Sequence, residues 1–230
     1  MEAKEEVVKQ VKELLPIKQS DYILRRLHSL CGIVPLGAFI LFHFFANSYS
    51  HRGAPGFNFV VDTLRSMPYL AWISLSVLSI PFLFHIIFGV FIIYKGDMMP
   101  HRDQPYVRNW AYFLQRVTAV VIGVFVIWHV VYVKYILLGQ DGQNYYEIMR
   151  NHFSSLGVVL WYTFVLACVA FHIANGLCTF CMTWGLTVSK HSQRVVAIVM
   201  FFVGIGLFIF GISAMSGFIL SPSLYEYAPK

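Results

Sequence analysis

Leu156 to Thr187, LGVVLWYTFVLACVAFHIANGLCTFCMTWGLT, runs 32 residues without one Asp, Glu, Lys or Arg. A helix needs about 20 apolar residues to cross roughly 30 Å of hydrocarbon, so this stretch reads as a membrane span with a histidine, His172, deep inside it. Outward from it the pattern repeats. Further apolar runs cover His28 to Ser48, Tyr69 to Tyr94, Leu114 to Leu138 and Val195 to Leu220. The chain of 230 residues is 58% hydrophobic and 12% charged, whereas a soluble domain is about a quarter charged. The predicted class is an all-α integral membrane protein of five transmembrane helices.

The polar segments follow from these spans. The first fifteen residues are charged and carry no apolar h-region, so no cleavable signal peptide is expected. Between those charges Val7, Val8, Val11, Leu14 and Leu15 recur at helical intervals up to Pro16, which predicts an amphipathic helix over Glu2 to Leu15. The organisation predicted is thus a cytoplasmic helical segment at 1–20, a membrane domain at 21–220 and an extracytoplasmic tail at 221–230. One loop, Tyr49 to Pro68, reads as a turn followed by a short helix near Asn58 to Ser66, and another, Gly96 to Asn109, is polar and bounded by proline.

Of the 17 Lys and Arg, twelve fall in the segments on the side of the N-terminus and five on the other. Cytoplasmic loops carry that excess, so the N-terminus is expected in the cytoplasm and the C-terminus outside. The net charge of +6 is then a topology signal and not a nucleic-acid footprint. Cys31, Cys168, Cys178 and Cys181 all lie in apolar runs, where cysteine packs as a small hydrophobe. The C-x-x-C spacing of Cys178 and Cys181 lacks the polar, accessible setting of a redox or zinc motif. No Gly-rich phosphate loop, dinucleotide fingerprint or catalytic triad spacing is present, so chemistry on a soluble substrate has no home in this chain.

Nine histidines are present. His28, His51, His101, His152 and His191 lie at span ends or in loops and read as solvated or interfacial. His43, His85, His129 and His172 lie inside four consecutive spans, where an ionisable side chain faces the bundle interior and points to function. Singly, each is explained by a hydrogen bond across helices. Together, with no embedded carboxylate beside them, they fit neutral imidazoles paired on haem iron better than a proton relay.

Depth orders the pairs. His43 is 5 residues from Ser48 and His129 is 9 from Leu138, while His85 and His172 are each 16 residues from the outer ends of their spans. At 1.5 Å per residue the two levels are roughly 13 Å apart. This predicts an outer haem on His43 and His129 and an inner haem on His85 and His172. Gly89 and Gly176 each follow a histidine by four residues on the same stripe, where a missing side chain admits a porphyrin edge. Arg26, His28, Ser29, Gln115, Arg116 and Arg194 gather at inner span ends as candidate propionate contacts, although Arg there also satisfies the charge rule for topology.

The runs RRLHSL at 25–30 leading to His43, LQRVT at 114–118 leading to Trp128-His129, and FHIANGL at 171–177 resemble the cytochrome b membrane subunit of succinate dehydrogenases and quinol:fumarate reductases, in its single-chain, two-haem, five-helix class. The likeness extends from Tyr22 to Gly217. It implies an anchor in the bacterial cytoplasmic membrane, four of whose helices form a haem-binding bundle. It also implies flavoprotein (FAD) and iron–sulfur subunits docked on the cytoplasmic face, and allows a higher oligomer of the complex. Electrons would pass from the iron–sulfur subunit through the inner and outer haem b groups to a quinone, menaquinone by the same resemblance. Some relatives move protons through a glutamate close to the fourth-helix ligand. Here Val169, Ala170 and Phe171 stand there, so that route is not expected. Two other classes remain open at this level: the cytochrome b subunit of a hydrogenase or formate dehydrogenase, and a haem-free transporter, which would show broken helices and repeats.

Overall fold

The computed structural model describes residues 21–95, 107–139 and 143–220. The amphipathic segment at 1–20, most of the Gly96 to Asn109 loop and the tail at 221–230 lie outside them. Every regular element among the described residues is helical. We number them α1 (21–48), α2 (Gly53–Arg65), α3 (Leu70–Lys95), α4 (Val107–Leu137), α5 (Tyr145–His152), α6 (Leu156–Thr183) and α7 (Lys190–Ile219). The five long ones, α1, α3, α4, α6 and α7, are the spans. The face where α1 begins is called the near face below, and the one bearing α2 and α5 the far face.

Span ends differ from the apolar runs for local reasons. Fourth-span helix α6 stops at Thr183, four residues before Thr187, because Gly185 takes a left-handed backbone (φ +73°). The Leu186 amide then donates to the Cys181 carbonyl at 2.8 Å and the Gly185 amide to Met182 at 3.1 Å, capping the last turn. At the other ends, polar residues lengthen the helices. α4 begins at Val107, taking in Arg108 and Asn109, and α7 begins at Lys190 behind Ser189, whose hydroxyl accepts from the Ser192 amide at 3.0 Å. The short helix of the far-face loop begins at Gly53 and not near Asn58, and α5 is a further helix that hydropathy does not reveal.

Three spans contain wide, π-helical turns. Gly32–Gly37 encloses Pro35, and Ser74–Ser79 lies just before Pro81. A proline ring crowds the carbonyl four residues back and offers no N–H, and a wider turn relieves both. The third, Val130–Leu137, starts at the residue after His129.

Helix α7 carries none of the four embedded histidines and packs on α6 and α1. Small residues allow the close approach. A Cβ at Gly204 would meet the Ala174 Cβ at 3.0 Å, and one at Gly211 would meet Leu166 at 2.7 Å and Phe44 at 3.1 Å. At the far face, α2, α5 and the ends of α4, α6 and α7 share one apolar core built from Phe57, Val133, Tyr145, Tyr146, Met149, Phe153, Tyr162, Met215 and Phe218. Hydrogen bonds tie its rim: Ser50 Oγ donates to the Ala214 carbonyl (3.0 Å), Tyr146 Oη to that of Gly217 (3.1 Å), and the Tyr146 amide to Asn58 Oδ1 (2.9 Å).

Candidate functional site: four embedded histidines

The bundle brings the four histidines together in two pairs drawn from alternate spans. His43 of α1 and His129 of α4 have ring centres 6.1 Å apart with planes at 87°. His85 of α3 and His172 of α6 stand 6.4 Å apart at 80°. These are the two pairs expected from depth.

Three of the four rings have Nδ1 engaged by the protein. His85 Nδ1 lies 3.0 Å from the His28 carbonyl, His172 Nδ1 lies 3.3 Å from Thr118 Oγ1, and His129 Nδ1 lies 3.1 Å from the Tyr162 hydroxyl. A carbonyl can only accept, so His85 carries its proton on Nδ1 and leaves Nε2 free. His43 differs, since both its ring nitrogens lie 3.4–3.5 Å from the Asn47 amide nitrogen.

The near-face pair has a polar rim. His28, expected to be solvated, instead stacks on His85 with ring centres 4.1 Å apart and planes within 5°. Hydrophobicity marked His28 as a span end, but α1 is helical from the first described residue, Asp21, so His28 lies within the helix and not at its end. Arg26 lies against Tyr22 and Trp184 and donates to the Thr183 carbonyl, while Trp184 donates to Ser29 Oγ. Gln115 donates to the His172 carbonyl at 3.1 Å and accepts from Asn175 at 2.8 Å. Arg116, 7% exposed, lies over the Tyr112 ring and bonds its hydroxyl. The Nε atoms of Arg26 and Arg116 are buried with no hydrogen-bond partner among the described residues. Arg194, the fifth residue of α7, is exposed and does not join this network among the described residues.

Sequence reasoning missed one glycine. A Cβ on Gly32 would stand 2.5 Å from His85 Cε1, so only glycine lets this ring lie against α1. Its one sequence signal is its place in the turn distorted by Pro35. Gly89 and Gly176 face the rim: a Cβ would come 3.3 Å from His28 Nε2 and 3.6 Å from Gln115 Nε2, respectively.

Around the far-face pair the environment is aromatic. Phe39 stacks on His43, and Phe125 on His129 at 5.2 Å. His152, read from sequence as a solvated loop residue, is folded by α5 against Tyr162, whose hydroxyl lies 3.2 Å from its Nε2. Burial lowers the His152 pKa from its ordinary value, which favours the neutral ring. The four cysteines are free thiols, and no cluster of three or more His, Cys, Asp or Glu suited to a metal ion occurs among the described residues.

Five apolar spans that enclose two imidazole pairs make this an all-α, multi-pass membrane protein. Residues 100–223 match the model of the succinate dehydrogenase/fumarate reductase transmembrane subunit family. The chain is also 32% identical over 199 residues to the succinate dehydrogenase cytochrome b558 subunit of Bacillus subtilis (strain 168), covering 86% of this chain and 98% of that one. It belongs to the succinate dehydrogenase/fumarate reductase transmembrane subunit family.

Proposed function

We propose that the chain is the membrane anchor and dihaem cytochrome b subunit of a succinate:quinone oxidoreductase, with His43 and His129 as axial ligands of one b haem and His85 and His172 of the other. The ring spacing carries this reading. An imidazole nitrogen lies about 2 Å from a first-row metal, so two rings on opposite sides of one iron have centres roughly 6–6.5 Å apart. The observed 6.1 and 6.4 Å agree. The name of the Bacillus subtilis relative points to the same complex and to haem b.

Two b haems held by these pairs would supply one-electron transfer across the membrane, between an iron–sulfur partner and a quinone such as menaquinone. The chain's own residues orient and enclose. The His28 carbonyl and Thr118 hydroxyl engage Nδ1 of His85 and His172, which leaves Nε2 of each ring to hold the iron and would raise its basicity as a ligand. Arg26 and Arg116, each with an orphan Nε, supply cationic hydrogen-bond donors of the kind that carboxylate propionates require. Ser29, Gln115 and the His28 ring complete that near-face rim. The charge rule puts the near face in the cytoplasm, where the flavoprotein and iron–sulfur subunits would dock.

The test is a dithionite-reduced minus oxidised spectrum with pyridine haemochrome quantification on the chain and its co-purifying subunits. Two b haems per chain are expected, and one in His85→Ala with the far-face haem retained. Absence of haem would return the histidines to structural hydrogen bonding. Loss of both haems, or of neither, in His85→Ala would refute the pairing.

A further inference from the structure

Three elements converge on one hydroxyl. Tyr162 of α6 is 8% exposed, and its oxygen lies 3.1 Å from His129 Nδ1 of α4 and 3.2 Å from His152 Nε2 of α5. Its ring is walled by Phe125, Trp128 and Phe153. We propose that Tyr162 is a positioning residue for His129: its hydroxyl accepts the Nδ1 proton of His129 and donates its own proton to Nε2 of His152. The proposal rests on the assignment of His129 as a haem ligand.

Proton counting supports it. The hydroxyl proton can go to either imidazole, whereas an arrangement in which both rings donate to the oxygen leaves that buried proton without a partner. If His152 donates to Tyr162 and Tyr162 to His129, the His129 proton sits on Nε2 and blocks ligation. The reverse order leaves Nε2 of His129 unprotonated and satisfies all three groups. It needs an acceptor at His152 Nε2, which the neutral ring provides in the tautomer that carries its proton on Nδ1. His152 then sets the direction of the chain from outside the span, and Tyr162 transmits it to the ligand.

An imidazole that donates from Nδ1 is more basic and favours ferric iron. Loss of the acceptor therefore raises the midpoint potential of that haem. The experiment compares the wild-type complex with Tyr162→Phe, His152→Leu and His152→Gln, measuring haemochrome content, potentiometric midpoints and the low-spin EPR signal of each haem. His129→Ala identifies the far-face component. Tyr162→Phe keeps the ring packing. It is expected to retain two haems, raise the far-face midpoint and shift that haem's EPR signal, with the near-face haem unmoved. His152→Leu is expected to shift the same component by less, and His152→Gln, whose amide oxygen accepts, to restore wild-type behaviour. Unchanged midpoints in Tyr162→Phe and His152→Leu, or equal movement of both haems, would overturn the proposal. If Tyr162→Phe loses the far-face haem, the two His152 variants decide: a shift in Leu but not Gln supports the chain, and identical behaviour overturns it. Fewer than two b haems in the wild type would overturn the ligand assignment instead.

Discussion

At the scale of single residues, Gly32 shows how little room the near-face pair has. The three atoms nearest a methyl group there all belong to the His85 imidazole, so that ring must give way. Gly32→Ala is therefore expected to lower or alter the near-face haem while leaving the far-face haem at wild-type occupancy, read as haemochrome content and the EPR signal of each haem. An unperturbed near-face signal would refute the close approach. The four embedded histidines were legible in the sequence because an ionisable group inside an apolar run stands out against its neighbours. Tyr162 and His152 were not, because what marks them is contact with another helix, of which local spacing holds no trace, and Gly32 was marked only by its nearness to Pro35. His28 was legible only as a polar residue at an apolar boundary. Its stacking on His85 depends on how far α1 extends beyond its apolar portion.

Among the elements, α7 joins the bundle through glycine. Gly204 faces the Ala174 methyl at 3.0 Å from an added Cβ, whereas Gly206, two residues on, has nothing within 4 Å. Overpacking a tight contact costs about 1–3 kcal/mol. Gly204→Leu is thus expected to lower thermal stability in detergent, and Gly206→Leu to leave it unchanged. Equal effects would mean that α7 is held by something other than this seam. The spans themselves were readable from hydropathy, which reports lipid contact. Their ends were not, since a helix continues past the hydrocarbon wherever polar residues are capped, as at Ser189, and stops where a left-handed glycine requires it, as at Gly185. Helix α5 escaped notice because it is eight residues long and polar by composition; its Tyr145 and Tyr146 become buried only against α2 and α7.

At the scale of the whole molecule, an apolar core of buried side chains lies at the far face, above the His43 and His129 pair. Phe218, 2% exposed, contacts Phe57, Tyr146 and Phe153 there. Truncating a buried Phe costs about 3–5 kcal/mol, so Phe218→Ala is expected to lower the thermal midpoint of the detergent-solubilised protein more than Gly204→Leu does. A smaller loss would show that this core is not the principal anchor of the bundle. The same core orders events during synthesis. Met215 and Phe218 belong to the last span to leave the ribosome, whereas the near-face pair and its supports, His28, Gln115, Thr118 and Trp184, all precede α7. Chains emerge N-terminus first, so the near-face pair and its supports can assemble while α7 is still being translated, and the far-face core is completed only once α7 has been inserted.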